Sequence, residues 1–422
     1  MVQLGTLIVG ASQAGLQIAS SLRELGYAEP ITLVGSEMHP PYQRPPLSKG
    51  FLAGDVEADG LAFRSPTYYA DHAIELVRGE LVTGVRFDEA GAEHGGVARA
   101  ESGREFAFDQ LALAVGGRPR RLEIPGKDLD GVSYLRDMDD AIRLRTLMPE
   151  ARSIVVLGGG FIGLEAAAAA RAQDKRVTVV EAADRLIGRA VAPVVSEFYL
   201  DAHRRRGVDV RLDTTVTEIL GEAGRVTAVR LHDGAELPAD LVLVGIGMLP
   251  RIRLAESMGL KIETGIVVDE HARTSVPTVV AAGDCTVLPH PMTGVGRVRL
   301  ESVQNAVAQA RVAAATLAGK PDPLRTVPWF WSDQGDLKLQ IAGLNTGYDR
   351  TVVRGEPSTE SFAVLYYRGH QLLSVDAVNA PRDYLVVRKA LTDGSTVDPA
   401  RAGDADVPLK ELLVAAPQRA SA

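Results

Sequence analysis

The sequence contains almost no cysteine, because Cys285 is the single one among 422 residues. One cysteine excludes disulfide frameworks, a cysteine-ligated zinc site and internal dithiol redox chemistry. A chain without disulfides is typical of a reducing compartment, so a cytoplasmic location is expected. No base motif accompanies Cys285, and it is therefore expected to be a small buried side chain rather than a nucleophile.

Long apolar runs and an excess of positive charge are also missing. No run of about 20 apolar residues occurs, so no membrane span is expected. The formal net charge of −8 argues against a general nucleic-acid surface. The 8 histidines are scattered without the spacing of metal ligands, and no metal site is expected. The chain is too long for one compact core, which predicts two or three domains.

A glycine-rich pattern occurs twice in the chain, at residues 10–15 and 158–163. Each copy follows a short apolar strand and opens a helical pattern. A second apolar strand then ends in an acidic residue, Glu37 after the first copy and Glu181 after the second. This strand–helix–strand unit binds a dinucleotide pyrophosphate at the helix N-terminus. Two units indicate two dinucleotides, as electron transfer between two cofactors requires.

The first copy departs from the usual pattern at its middle position. Gly10 permits the tight turn and Gly15 permits close contact between helix and strand, whereas Ser12 replaces the middle glycine. Glu37 is placed to accept hydrogen bonds from an adenosine ribose. The alternative is a glycine-tolerant turn in a doubly wound sheet without any nucleotide.

The second copy has all three glycines, and Glu181 follows it. A carboxylate there binds a ribose 2′-hydroxyl and repels a 2′-phosphate, at a cost of a few kcal/mol for charges about 4 Å apart. The sequence therefore predicts NADH rather than NADPH. Arg185 and Arg189 leave NADPH open, because arginine can hold the phosphate; they could equally be ordinary loop cations.

The pattern of strands and helices predicts an α/β fold with two Rossmann-like dinucleotide-binding domains and a C-terminal α+β domain. After Pro328 the chain changes character, because both tryptophans and several strand-like segments follow. The predicted boundaries are an FAD-binding domain at 1–113 and 246–327, an NAD-binding domain at 114–245 and the α+β domain at 328–422.

Two further segments are candidates for cofactor contact. Residues 40–49 are rigidified by prolines, and Lys49 at their end either lies against the redox end of a cofactor or is a solvated lysine. Asp284 follows a strand, where it either accepts hydrogen bonds from cofactor hydroxyls or caps a helix.

With these residues in place, the chain resembles the oxygenase-coupled NADH-dependent ferredoxin reductases of the two-dinucleotide flavoprotein group. The resemblance covers nearly the whole chain. The segments that carry it are residues 44–49, 116–120, 134–136, 158–165, 265–271, 282–285, 299–306, 328–334 and 407–411. Three positions depart from the family pattern, Val115, Arg251 and Gly335, and the last stands where a tyrosine is usual, near the flavin and the partner surface.

The resemblance implies one non-covalently bound FAD and a nicotinamide site. The residues expected at FAD are Gly10, Ser12, Ala14, Gly15, Glu37, Arg44, Lys49, Val82, Arg136, Asp284, Val303 and Trp331. Those expected at NAD are Gly158, Gly160, Phe161, Ile162, Gly163, Glu165, Glu181, Arg189 and Gly247. Lys49 and Glu165 would support the flavin, and Glu165 would approach the nicotinamide and pair with Lys49. No essential acid or base is predicted.

The resemblance also implies the reaction and the partner. Hydride from NADH would reduce FAD, and the electrons would leave singly to a 2Fe–2S ferredoxin that serves an oxygenase, specifically a haem monooxygenase. Because such ferredoxins are usually acidic, a basic docking face is expected despite the negative net charge. The candidate docking residues are Arg311, Lys338, Arg388 and Lys389.

Two other functions remain as alternatives. An NADH oxidase, peroxidase or disulfide reductase of this fold needs a redox cysteine after the proline segment or a Cys-x-x-Cys pair, and the chain has neither. A non-enzymatic FAD- and NADH-binding interaction protein of the apoptosis-inducing-factor type is disfavoured because no targeting segment or basic tail is expected.

Overall fold

Short buried strands alternate with helices in the computed structural model, which describes residues 4–88, 91 and 95–415. The helices are α1 (Gln13–Glu24), α2 (Gly50–Ala53), α3 (Tyr68–Asp71), α4 (Met138–Leu147), α5 (Phe161–Ala172), α6 (Pro193–Arg205), α7 (Arg253–Ser257), α8 (Val303–Leu317) and α9 (Pro381–Asp393). Short 3-10 turns lie at Pro45–Ser48, Ala58–Leu61, Pro357–Thr359 and Leu409–Leu412.

The strands are mostly short, as expected for α/β units. They are β1 (Thr6–Val9), β2 (Ile31–Val34), β3 (Ile74–Val77), β4 (Val82–Phe87), β5 (Gly96–Ala100), β6 (Glu105–Phe108), β7 (Gln110–Leu113), β8 (Gly117–Pro119), β9 (Val132–Tyr134), β10 (Ser153–Leu157), β11 (Arg176–Val180), β12 (Val208–Arg211), β13 (Val216–Glu222), β14 (Arg225–Leu231), β15 (Glu236–Pro238), β16 (Leu241–Val244), β17 (Met248–Pro250), β18 (Ile266–Val267), β19 (Val279–Ala281), β20 (Thr286–Pro289), β21 (Arg297–Val298), β22 (Trp329–Gln334), β23 (Leu337–Gly343), β24 (Arg350–Glu356), β25 (Ser361–Arg368), β26 (Gln371–Val378), β27 (Ser395–Val397) and β28 (Leu413–Ala415).

The described chain divides into two compact units. Unit 1 comprises residues up to 43, 59–118 and 249–328, and unit 2 comprises 44–58, 119–248 and the chain from 329 onward. Each unit collects segments from more than one of the three domains predicted above. Those domain boundaries therefore stay a prediction, whereas the predicted α/β class is confirmed.

Unit 1 is built on a parallel sheet with the strand order β19-β7-β1-β2-β3. Strands β1, β7 and β19 are buried almost throughout because both faces of the sheet are covered, which is why they lack the alternation of a half-exposed sheet. Helices α1 and α8 pack against each other, and the unit also contains the small sheets β4-β5-β6 and β18-β20-β21. Helix α1 ends before Gly26, whose φ of +80° suits the left-handed position after a helix.

Unit 2 contains a second parallel sheet, in the order β12-β11-β10-β16-β9, and a small antiparallel sheet β13-β14-β15. Its C-terminal part is the antiparallel sheet β22-β23-β26-β25-β24, against which α9 packs. Side chains of β25 alternate between two cores. Phe362 and Tyr366 join the core that contains the helices α5 and α6, whereas Leu365 and Tyr367 join the core formed with α9.

The sequence predicted no membrane span and no metal site, and the described residues bear on both predictions. Within those ranges no helix has both the length and the apolar character required to cross a membrane. In the same part of the chain, no group of three or more histidine, cysteine, aspartate and glutamate side chains is arranged to hold a metal ion. Cys285 is fully buried, as expected for a packing residue.

The C-terminal sheet buries one carboxyl group. Asp376 on β26 accepts a hydrogen bond from the Tyr366 hydroxyl. Burial raises the pKa of Asp376 to about 7 from the ordinary value of 3.8. Between the unfolded and the folded pKa value, the folded state keeps the proton on Asp376, whereas the unfolded state has released it. Stability is therefore greatest below the unfolded pKa and falls as the pH rises toward 7.

Replacement of the carboxyl group by an amide should remove this dependence. We expect wild-type stability to fall between pH 4 and pH 7 by up to about 4 kcal/mol more than that of Asp376→Asn. Melting temperatures of both proteins across this pH range measure the difference. Asp201→Asn, which changes an exposed carboxylate on α6, is the control and should follow the wild type. Parallel pH profiles for wild type and Asp376→Asn would contradict the prediction.

Candidate functional site

The first glycine loop joins β1 to α1 in unit 1. Gly10 has a φ of +114°, and a Cβ atom built on it would lie 2.2 Å from the carbonyl oxygen of Ala114. A Cβ atom on Gly15 would lie 1.9 Å from the Gly10 carbonyl oxygen. The fold itself therefore requires both glycines. Ala14, between them and within α1, is buried against the same sheet.

Helix α1 begins at Gln13 without a capping hydrogen bond from the side chain of Ser12. Its first-turn N–H groups have no acceptors within the helix and carry the positive end of the helix dipole. This arrangement suits the anionic pyrophosphate of a dinucleotide.

Three of the predicted FAD residues follow strands of this one sheet. Gly10 follows β1, Glu37 follows β2 and Asp284 follows β19, and all three strands run parallel. Residues that follow parallel strands share the carboxyl edge, where ligands bind in open α/β sheets. The Tyr42 hydroxyl donates to Glu37 Oε2 at 2.6 Å and orients that carboxylate. Val82, which is buried, begins the separate strand β4.

The N-terminus of α8 supplies a further candidate contact in unit 1. Val303 is the first residue of the helix, and Ser302 Oγ caps it by accepting from the Asn305 amide at 3.1 Å. Arg299 precedes this N-terminus and Gln304 follows Val303. The Nη1 atom of Arg299 and the Oε1 atom of Gln304 are buried and have no hydrogen-bond partner within the described chain. Buried polar atoms are normally paired, so a polar ligand group is expected beside them. Neither residue was predicted individually, although both lie in the segment 299–306.

The second glycine loop joins β10 to α5 in unit 2. A Cβ atom on Gly158 would lie 2.5 Å from the Gly245 carbonyl oxygen, and one on Gly163 would lie 2.2 Å from the Gly158 carbonyl oxygen. A Cβ atom on Gly160 would meet no atom within 4 Å. The fold thus requires the outer glycines, whereas Gly160 leaves open space in which a phosphate can approach. Ser12 occupies the corresponding position in the first loop.

Glu181 is fixed at the end of β11 by two backbone amides. Its Oε2 accepts from the Gly159 N–H at 2.6 Å and its Oε1 from the Ala183 N–H at 2.8 Å. The carboxylate is therefore attached directly to the second glycine loop. Each of its oxygens keeps a further lone pair, and the ribose contact expected of Glu181 stays a prediction.

The two arginines of the following loop differ in their surroundings. The Arg185 guanidinium donates to the carbonyl oxygens of Gly188 at 2.5 Å and Val191 at 3.0 Å, so it is engaged within its own loop. Arg189 is exposed, and its Nη2 atom would lie 3.7 Å from a Cβ atom on Gly247. Gly247 follows β16, which pairs with β10. Arg189 and Gly247, which are both expected at NAD, therefore lie together at the edge of the second sheet.

The side chains of Lys49 and Glu165 form an ion pair in unit 2. Glu165 lies on α5 and is 3% exposed. Its Oε2 accepts from Lys49 Nζ at 2.7 Å and from Ser48 Oγ at 2.5 Å, and its Oε1 accepts from Ser332 Oγ at 2.6 Å. A buried carboxylate requires such pairing, because desolvation of an isolated charge is costly. Lys49 is thereby fixed in position.

This cluster continues into the C-terminal sheet. Gln334 Nε2 donates to Ser332 Oγ at 3.3 Å, and Gln334 Oε1 lies 2.7 Å from His203 Nε2. Burial lowers the pKa of His203, which favours the neutral imidazole. Sequence reasoning identified Lys49 and Glu165 but not these partners. In the sequence, Ser48 and Ser332 were indicated only by their positions, since Ser48 adjoins Lys49 and Ser332 adjoins Trp331.

The remaining predicted cofactor residues of unit 2 lie on helix α5, on strand β22 and in two loops. Arg44 precedes the 3-10 turn Pro45–Ser48 and donates to the Arg136 carbonyl oxygen at 2.6 Å. Trp331 is half-buried on β22. Phe161 and Ile162 begin α5, and the Phe161 ring lies 4.6 Å from that of Phe330, whereas Ile162 is 46% exposed. An exposed isoleucine beside the glycine loop can cover an apolar part of a ligand.

The four candidate docking residues have different environments. Arg311 lies exposed on α8 in unit 1, and the other three lie in unit 2. Lys338 is exposed on β23, and the Arg388 guanidinium lies 4.6 Å from the centre of the Trp329 ring. Lys389 Nζ pairs with Asp393 at 2.6 Å within α9, and both side chains are exposed.

Comparison with protein families identifies two regions of the chain. Residues 5–310 match the family described as pyridine nucleotide-disulphide oxidoreductase. Residues 329–413 match the family described as reductase C-terminal. The second match covers the antiparallel sheet β22–β26, helix α9 and strand β27.

Similar proteins extend over almost the whole chain. Rhodocoxin reductase of Rhodococcus erythropolis is 45% identical over 96% of this chain and 94% of its own length. The crystal structure of the ferredoxin reductase for the CYP199A2 system of Rhodopseudomonas palustris has a TM-score of 0.92 at 42% identity, and covers 96% of this chain and 99% of that one. The crystal structure of the covalent putidaredoxin reductase–putidaredoxin complex also has a TM-score of 0.92, at 41% identity, and the match covers 97% of this chain and 97% of that one.

The hydrogen bond from Ser332 to Glu165 should contribute measurably to stability. Ser332→Ala leaves Glu165 Oε1 without that donor and should lower the free energy of unfolding by about 1–3 kcal/mol. Ser374→Ala is the matched control, because Ser374 is equally buried and its hydroxyl has no partner in the described chain. Urea denaturation of the two variants and the wild type measures the effect. Equal losses in both variants would contradict the assignment.

Proposed function

We propose, since the chain belongs to the pyridine nucleotide-disulphide oxidoreductase family, that this oxidoreductase is an FAD-dependent NADH:ferredoxin reductase. The observation that carries the proposal is the pair of glycine loops, each at the carboxyl edge of its own parallel sheet. The similarity to ferredoxin reductases over 94–99% of their lengths supports the choice of acceptor.

FAD fits the first glycine loop. The uncapped N-terminus of α1 would hold its pyrophosphate, and Glu37, already oriented by Tyr42, would bind the ribose. The unpartnered atoms of Arg299 and Gln304 would bind polar groups of the cofactor. When bound, FAD supplies the ability to accept a hydride as an electron pair and to release the electrons singly.

Lys49 and Glu165 act through charge rather than by proton transfer. The buried Glu165 carboxylate fixes the Lys49 ammonium at 2.7 Å, so the positive group does not need to reorganise during the reaction. A positive charge held in this way stabilises negative charge that develops nearby. Hydride transfer itself needs no protein acid or base, and the chain supplies orientation.

The second glycine loop would bind NADH in preference to NADPH. Glu181 carries a fixed negative charge beside Gly159, where it would accept from a 2′-hydroxyl and repel a 2′-phosphate. Arg185, one of the two arginines that left NADPH open, donates to carbonyl oxygens of its own loop. The remaining candidate for a phosphate contact in this loop is Arg189.

We assign the acceptor as an acidic 2Fe–2S ferredoxin that serves an oxygenase, specifically a haem monooxygenase. Putidaredoxin reductase is bound to putidaredoxin in one of the similar structures, which supports a partner of this kind. The disulfide reductase and peroxidase alternatives need a reactive cysteine. Cys285 is fully buried, and burial raises the pKa of its thiol to about 12, so it does not provide one. The cytoplasmic location stays a prediction.

Reduction of the purified protein by NADH tests the proposed function. We expect a yellow protein that NADH bleaches in the absence of air, with NADPH at least about tenfold less efficient because of Glu181. Addition of a 2Fe–2S ferredoxin should then produce sustained reduction of cytochrome c. A protein that cannot be loaded with flavin, or a cytochrome c reduction rate that is independent of ferredoxin, would contradict the proposal.

Reversal of charge on the candidate docking residues tests the basic face. Arg388→Glu and Lys338→Glu should each lower the association rate with ferredoxin at low ionic strength, up to about tenfold, with the difference vanishing at high salt. Lys389→Glu changes the charge by the same two units beside an exposed Asp393 that is present in both proteins, so it should lower the rate to a similar extent. Lys261→Glu, at an exposed position in unit 1, is the control. Stopped-flow rates that do not change in Arg388→Glu and Lys338→Glu would remove these residues from the docking face.

A further inference from the structure

The loop between β11 and α6 (residues 181–192) packs directly on the second glycine loop. The Ile187 N–H donates to the Gly159 carbonyl oxygen at 3.0 Å. Leu186 lies so close that a Cβ atom on Gly159 would be 2.4 Å from its Cδ2 atom. Arg189 lies beside Gly247, as described above. The β11–α6 loop therefore forms one wall of the proposed nicotinamide nucleotide site.

The backbone of this loop is strained at Ile187. Its φ is +53°, a left-handed conformation that a β-branched residue rarely adopts. Such a conformation persists when the surrounding structure over-determines it. Part of the constraint comes from the loop itself, because the Ala190 N–H donates to the Ile187 carbonyl oxygen at 2.9 Å.

The first turn of α6 adds a further constraint, because Ser196 Oγ donates to the Leu186 carbonyl oxygen at 2.7 Å, and the C-terminal domain adds two more. The Ala192 N–H donates to the Tyr366 hydroxyl at 2.7 Å, and that hydroxyl in turn donates to Asp376. Asn345 Nδ2 donates to the Ala190 carbonyl oxygen at 3.0 Å. Two side chains from the C-terminal domain thus bind the loop at alternate residues, immediately before α6.

These contacts have no counterpart at the neighbouring tyrosine. Tyr366 and Tyr367 are both fully buried, but they point to opposite faces of β25 and belong to different cores. The Tyr367 hydroxyl has no partner in the described chain. Loss of the hydroxyl from Tyr366 therefore removes one anchor of the loop, the acceptor of the Ala192 N–H, whereas the same change at Tyr367 removes none.

We propose that Tyr366 and Asn345 are positioning residues for the nicotinamide nucleotide. They hold the β11–α6 loop in its strained conformation, so that Leu186 and Ile187 stay on the glycine loop and Arg189 stays beside Gly247. The inference rests on the proposed function in one respect, that the second glycine loop binds NADH. When the binding-competent conformation is less populated, the apparent dissociation constant rises by the same factor.

Kinetics with NADH and binding of NAD⁺ test this role in the FAD-loaded protein. Asn345→Ala and Tyr366→Phe should each raise the KM for NADH and the dissociation constant for NAD⁺ by about fivefold or more, with kcat at saturating NADH within about twofold of the wild type. Tyr367→Phe is the matched control and should leave both constants unchanged. Asn345→Ala has no part in the Tyr366–Asp376 hydrogen bond, so it keeps the test valid if Tyr366→Phe folds poorly.

The possible results separate the inference from the proposed function. A wild type that NADH reduces, together with an unchanged KM and NAD⁺ affinity in Asn345→Ala, would overturn the positioning role alone. An equal rise of KM in Tyr367→Phe, or a loss of kcat at constant KM, would also overturn it. A wild type that neither binds NAD⁺ nor is reduced by NADH would overturn the proposed function and this inference together.

Discussion

A single buried negative charge connects three distant parts of unit 2. The Glu165 carboxylate on α5 accepts hydrogen bonds from Ser48 and Lys49 in the proline segment and from Ser332 in the C-terminal sheet. A charge at this depth is tolerated only when it is paired and its oxygens are saturated. The segment 44–58 and the C-terminal sheet must therefore both pack against α5, which places Lys49 with a defined geometry.

The glycines of the two nucleotide loops serve two different purposes. Those at the outer positions, such as Gly158 and Gly163, are required because a side chain would collide with the backbone of the protein. The middle position faces open space, as Gly160 shows, and it is free to vary if the ligand allows it. The serine at the middle of the first loop is consistent with this difference. The familiar sequence pattern thus combines a constraint of folding with a constraint of binding.

The C-terminal domain carries residues that we propose for both ends of the reaction. Trp329 and Arg388 lie in contact at its surface, where a partner protein could bind. From the other face of β25, Tyr366 reaches the loop that follows β11. The alternation of side chains along one strand separates these environments. Residue types that appear equivalent in the sequence, such as the adjacent tyrosines, consequently have different surroundings.

By itself, the sequence determined the α/β class, the two glycine loops and the acidic residues that end their second strands. These features depend on local periodicity and on short glycine spacings, which neighbouring residues specify. Only the tertiary structure decided that Ser332 donates to Glu165, 167 residues away, that Arg185 is engaged while Arg189 is exposed, and that Tyr366 rather than Tyr367 holds the β11–α6 loop. Hydrogen-bond partners far apart in the chain are chosen by the packing of sheets and helices, and no local pattern records that choice.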